Sequence, residues 1–266
     1  YYNGSSYVAK TSTTGNLPTD NTKWNILASG SGGVWDSTLS IGSAGQVVKV
    51  NSGATALEFG DASAGLQSIQ KFTANGTYTK PAGISKVKVI VTGGGGGGGG
   101  GNPGYNARGG GGAGGTAIKI VDVSSISTVA VTVGNGGTAG SANGGGDGGN
   151  GTAGGTSSFG SHASATGGYG GNVYVNPTSF TRGVGSSGDL NITGGDGTQY
   201  EGGGSSTDEG GSTTGGASFW GGGGMGDGGG GSFAGGAGQS YGSGGGGGQH
   251  DGTGSSAGGA GKHGIV

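Results

Sequence analysis

The chain has 266 residues, of which 82 are glycine, with no cysteine and a net charge of −2. Leu, Ile, Val and Phe are too few to line a conventional apolar core along the whole length, and without cysteine no disulfide can substitute for one. The charge excess is slightly positive before residue 92 and negative after it, with no basic patch of the kind that neutralises phosphates, so nucleic acid is not expected as a partner. The longest apolar run, Val87 to Val91, is interrupted by Lys88 and is far too short to insert into a bilayer.

In chain order the sequence divides into three parts, 1–33, 34–65 and 66–266. The opening part carries an Asn3-Gly4 turn and a Pro18-Thr19-Asp20-Asn21 turn ahead of Trp24, which predicts a short hairpin with aromatic residues on one face. Tyr7 and Trp24 either form a small core there or present a sugar-stacking platform, since flat aromatic rings offer an apolar face with polar edges. The first residue is Tyr1, not Met, so the sequence reads as a fragment or processed product.

The second part alternates with period two in Gln46-Val47-Val48-Lys49-Val50, turns through Asn51-Ser52-Gly53 and returns along Ala56-Leu57-Glu58-Phe59. An isolated two-stranded hairpin is marginal in water, so self-association about a threefold axis, a homotrimer, is expected to cover its faces and edges.

The third part begins as a β-protein. Lys71 to Tyr78 reads as two strands about Asn75-Gly76, Ser85 to Thr92 as a strand with lysine outward and valine inward, and Ala117–Ile120 and Val129–Val133 as its pairing partners. Strand-like composition returns at Thr156 to Gly167 and at Leu190 to Thr193, and Gly264-Ile265-Val266 reads as the beginning of a closing strand. The fold class expected is mainly β: short N-terminal β modules, then a small β-sandwich with glycine-rich excursions much longer than ordinary loops.

Twelve glycines lie in residues 1–92 and 70 in residues 93–266. Such a composition ordinarily means a linker, because each ordered glycine loses the most backbone entropy and adds nothing to a core. Glycine at every third position also suits a polyproline II helix, which has three residues per turn and unpaired backbone groups facing outward. Gly145, Gly148, Gly151 and Gly154 keep that register, as do Gly109, Gly112 and Gly115. The excursions are therefore expected to pack as polyproline II (polyglycine II) helices, with backbone hydrogen bonds between them replacing the apolar core.

On so plain a scaffold, recognition falls where side chains return. The candidates are Tyr105, Arg108, Tyr174, Phe180, Arg182, Tyr200, Phe219, Trp220, Tyr241 and His250, residue types that commonly anchor interfaces, each equally readable as a plug between glycine helices. No catalytic residue, metal site or cofactor is indicated. His162, His250 and His263 lack metal-ligand spacing and a nucleophile partner, and the chance GxGxxG matches precede no helix.

Three stretches resemble bacteriophage tail-fibre proteins. YYNGSSYVAKTSTTGNLPTDNTKWNILASG is similar to a small aromatic module of such fibres, akin to chitin-binding-type carbohydrate modules. GSAGQVVKVNSGATALEFGD resembles a short fibre repeat, with Ala54 before Thr55 as a minor departure. FTANGTYTKPAGISKVKVIVTGGGGGGGG, TVAVTVGNGG and GGTSSFGS resemble the glycine-rich domain of fibre tips and receptor-recognition adhesins. The resemblance implies a virion protein at the distal end of a tail fibre that joins other fibre or baseplate proteins and attaches to a bacterial surface receptor, protein or glycan, without catalysis. The alternative is a non-viral structural or ice-binding glycine-rich protein, which would need a flatter and more regular array than one broken by Arg182, Tyr200 and Trp220.

Overall fold

The computed structural model describes residues 5–18, 21–28, 43, 46–61, 66, 68–101, 108–143, 148–172, 182–198, 213–226, 232–249 and 254–266. These residues are all β or irregular, with no helix, and form two compact units, Tyr1–Ile69 and Gln70–Val266.

The first unit holds two separate hairpins. Strand β1 (Ser6–Ala9) pairs antiparallel with β2 (Trp24–Ala28), placing Tyr7 opposite Ile26 and Ala9 opposite Trp24, so these four residues share a face. The Trp24 indole N–H donates to the Asn16 carbonyl at 3.2 Å, fixing the loop that precedes the strand. Strand β3 (Gln46–Val50) pairs with β4 (Leu57–Asp61). Asn51 closes their turn by accepting the Thr55 and Ala56 N–H groups on its side-chain oxygen, which holds Ala54 at φ 54°.

The second unit opens on a sandwich of two antiparallel sheets. Strands β5 (Gly76–Thr79), β6 (Lys86–Thr92), β7 (Thr116–Asp122), β8 (Thr128–Thr132), β9 (Ser157–Phe159), β10 (Ala163–Ala165), β11 (Gly185–Ser186) and β12 (Leu190–Ile192) divide into the orders β11-β10-β9-β8-β5 and β12-β7-β6. Alternation sends Val89, Val91, Ala117 and Val121 inward from the smaller sheet. They meet Tyr78, Val129, Val131, Phe159, Ala163 and Ala165 from the larger one. Tyr78 and Phe159 pack edge to face at 5.4 Å, and burial pushes the Tyr78 phenol up from its ordinary pKa.

Two expectations are corrected. Val129–Val133 does not pair with Ser85–Thr92: β8 pairs with β5, because its valines with Tyr78 form the opposite wall of the core. Lys71 to Ala74 is not a strand either; Phe72 instead exchanges both backbone hydrogen bonds with Val266, at 2.7 and 3.1 Å, and packs against the core. Ile265 bridges Thr92, so the final residues lie along the β6 side of the smaller sheet.

Beyond β6 the chain enters nine consecutive glycines, residues 93–101, and a different kind of packing. All nine N–H groups donate to neighbouring carbonyls in a strict rotation of three. Gly93, Gly96 and Gly99 reach Gly115, Gly112 and Gly109; Gly94, Gly97 and Gly100 reach Gly155, Thr152 and Gly149; Gly95, Gly98 and Gly101 reach Lys262, Gly259 and Ser256. The carbonyls of 94–99 accept with the same repeat from 168–171, 137–140 and 245–248. Three residues per turn is the repeat of a polyproline II helix.

The six segments around 93–101 also bond to one another in a closed ring. Gly112 donates to Tyr169, Gly151 to Gly171, Thr152 to Thr138, Gly261 to Gly137, Lys262 to Ser243 and Gly111 to Gly245. A second ring surrounds 242–248, formed by 93–101, 109–115, 213–217, 222–226, 235–238 and 256–262. The two hexagons thus overlap, each centre being a member of the other's ring and 109–115 and 256–262 belonging to both, and their centres hold no apolar side chain. A Cβ at Gly95, Gly97 or Gly98 would overlap the carbonyl of Ser243, Thr138 or Gly246, so glycine is required there by the closeness of the neighbouring backbones.

Candidate functional site

The hydrogen bonds set the level of each segment along 93–101, and hence the direction in which it runs. Segments 93–101, 134–141, 166–172, 194–198, 222–226 and 242–249 run away from the sheets; 109–115, 148–155, 213–217, 232–238 and 254–264 run back. At the near end, turns or strands connect them: β7 with β8, β9 with β10, β11 with β12, and the turns at 218–221 and 239–242. At the far end the described chain stops at Gly101, Asn143, Asn172, Thr198, Gly226 and Gln249, and it resumes at Arg108, Gly148, Arg182, Thr213, Ser232 and Gly254. One end of the lattice is therefore built on folded strands and turns, and the other is where the described chain breaks off six times.

The candidate residues divide between these ends. Tyr105, Tyr174, Phe180, Tyr200 and His250 belong to the departing segments and lie outside the described residues. Arg108, at the far end, is buried with 5% exposure. Arg182 is exposed and grips Asp196 with two contacts, Nε to Oδ1 at 2.8 Å and Nη2 to Oδ2 at 2.6 Å, clamping the returning strand of chain to 194–198.

Phe219, Trp220 and Tyr241 sit at the near end. Phe219 and Trp220 meet edge to face at 5.2 Å in the turn 218–221, both more than 40% exposed. The Trp220 indole N–H donates to the Thr92 hydroxyl at 2.9 Å, and Thr92 bonds the Thr116 hydroxyl at 2.9 Å where the sheet passes into the lattice. Tyr241 packs at a tilt against His263, ring centres 5.3 Å apart, in the other near-end turn. These three aromatics therefore lie at the end of the lattice that meets the sheets, a placement that residue type alone could not reveal.

Three further residues complete the picture. Tyr169 is 8% exposed; its hydroxyl both accepts the Gly197 N–H at 3.0 Å and donates to the Gly197 carbonyl at 3.3 Å, while its ring lies against Gly112. It plugs the space between 166–172 and 194–198. Met225 and Phe233, 66% and 42% exposed, stand on adjacent outer segments toward the far end. In sequence, the six departing segments carry Asp147, Glu201, Asp208, Glu209, Asp227 and Asp251 and no lysine or arginine. Among the described residues no group of His, Asp or Glu is placed to hold a metal ion, and no helix is long and apolar enough to cross a membrane.

Residues 70–266, well over half of the chain, match the family model described as a glycine-rich domain, and the chain belongs to that family. The match begins at Gln70, where the second compact unit begins. No curated protein matches the chain.

Proposed function

We propose that this member of the glycine-rich domain family is the adhesin of a bacteriophage tail fibre, attaching the virion to a receptor on the bacterial surface by the far end of its lattice. The observation that carries the reading is the polarity of the second unit: the described chain breaks off six times at the end opposite the sheets, and the segments at those breaks include Tyr105, Tyr174, Phe180 and Tyr200 and six carboxylates. A backbone-bonded lattice gives those segments a rigid base whose own surface is nearly featureless, so their sequences can vary without disturbing the fold. Six carboxylates with no compensating base favour a receptor that presents basic residues over a bare anionic glycan. The resemblance of residues 1–60 to fibre modules supports attachment to further fibre proteins. In β3–β4, Val48, Val50, Leu57 and Phe59 share one apolar face, with Val48 and Val50 44% and 59% exposed, which supports association of copies at that hairpin.

The test is binding of the labelled chain to a panel of bacterial strains. On a strain that binds, Tyr174→Ala and Tyr200→Ala are expected to weaken binding by about 1 to 3 kcal/mol each, and Trp220→Ala to leave it unchanged. Loss of binding confined to Trp220→Ala, or no binding to any strain, refutes the reading.

A further inference from the structure

The outward face of the three-stranded sheet is largely apolar; Trp220 covers its Thr92 end, and the part at Ile120 and Leu190 is exposed. Val89, Val91, Ala117 and Val121 point into the core, so alternation turns Ile90, Ile118 and Ile120 to the other side. The register places Leu190 beside Ile118 and Ile192 beside Thr116 on that same face. Ile120 is 61% and Leu190 54% exposed. Trp220, bonded to Thr92, and Phe219 extend the face toward the lattice. Three strands about 4.8 Å apart, with about 3.4 Å per residue over about five residues, give a contiguous apolar patch of about 250 Å².

The charges at its margins are arranged asymmetrically. Lys86 and Lys88 stand on β6 at one edge, with Asp122 opposite Lys86 at the end of β7; Asp189 stands beside the opposite edge, its carboxylate accepting the Ile120 N–H at 2.9 Å. Lys88 and Asp189 are near the same level along the strands, because Lys88 pairs with Ile120. A rotation axis parallel to the strands brings the β6 edge of one copy against the β12 edge of the next, lysine to aspartate, with Ile118 and Ile120 nearest the axis. An antiparallel placement of the strands would instead separate the opposite charges.

We propose that this face is an interface between copies of the chain, packed sheet on sheet about an axis parallel to the strands. It rests on the second unit alone and does not depend on the receptor reading. The native chain has no cysteine, so a single introduced thiol reports contact cleanly. Ile120→Cys, on the central strand, is expected to yield a covalent dimer under mild oxidation much faster than Met225→Cys, an equally exposed position on the lattice. Lys88→Glu added to Ile120→Cys is expected to slow that reaction, and high salt to weaken the Lys88 effect. A thermal melt of each variant confirms folding. A folded Ile120→Cys chain that cross-links no faster than Met225→Cys overturns the interface, whatever a parallel Val48→Cys variant shows for the first unit. Cross-linking unaffected by Lys88→Glu overturns the proposed axis. Strain binding by the same variants is scored separately, so receptor recognition and self-association fail independently.

Discussion

Gly151→Ala tests whether the glycine-rich half is an ordered solid or a linker. Gly151 faces residues 93–101, and an added Cβ would overlap the Gly97 carbonyl, whose carbon would lie 2.5 Å away where ordinary contact begins at 3.4 Å. The carbonyl oxygen is closer still, so the two segments must part by at least about 0.9 Å. Gly97 donates to Thr152 at 2.9 Å, Gly151 to Gly171 at 2.9 Å and Gly171 to Gly97 at 2.7 Å, so one methyl lies within a triangle of three backbone bonds. Widening by that amount carries an N···O pair from 2.9 Å to about 3.8 Å, beyond hydrogen-bonding distance. Interior groups left without partners cost about 1 to 3 kcal/mol each, and partial relaxation leaves an expected loss of about 2 to 5 kcal/mol. In a unit of this size 1 kcal/mol moves Tm by about 2 to 4 °C, so a fall of about 5 to 15 °C is expected in a calorimetric melt. Ser141→Ala, at an exposed side chain of the neighbouring segment, should leave Tm within about 1 °C. A linker would respond oppositely, gaining about 0.4 to 1 kcal/mol from a less flexible unfolded chain. Equal melts for the two variants would refute the lattice account.

Tyr169→Phe removes the acceptor of the buried Gly197 N–H and should cost about 1 to 3 kcal/mol in urea unfolding; an unchanged midpoint would show that the plug acts by shape alone. Arg182→Ala breaks a well-formed but exposed ion pair and should cost less than about 1 kcal/mol, with a larger loss in the same titration pointing to a buried role. The Ser124 hydroxyl and N–H both donate to Asp122, holding its carboxyl below the usual value, with Lys86 and Lys80 adding to the effect. A depressed folded pKa means stability present above the unfolded value and lost as pH falls through the folded one. NMR titration should therefore find Asp122 below an ordinary aspartate, and Asp122→Asn should blunt the acid limb of stability; a midpoint at or above the ordinary value contradicts this.

Much of the scaffold was legible in residue order because it rests on local rules. Alternation in Lys86–Thr92 depends on the two-residue period of a strand, and the Asn51 turn depends on a side chain that reaches its own backbone. The three-residue register of Gly148, Gly151 and Gly154 marks the face that meets the carbonyls of Gly100, Gly97 and Gly94. Partner choice was not legible, since β8 carries the same alternating valines whether it lies beside β6 or opposite it, and only the closed core selects β5. The same holds for the aromatics. Trp220 and Tyr174 are equivalent as aromatic letters in the glycine-rich part, yet a hydrogen bond between residues more than a hundred positions apart puts Trp220 against Thr92 at the sheets. Glycine has no side chain to specify a neighbour. The sequence by itself could determine that these segments pack by backbone, but which segment bonds to which was decided by the sandwich, whose strands launch the chain into the lattice in fixed positions and directions.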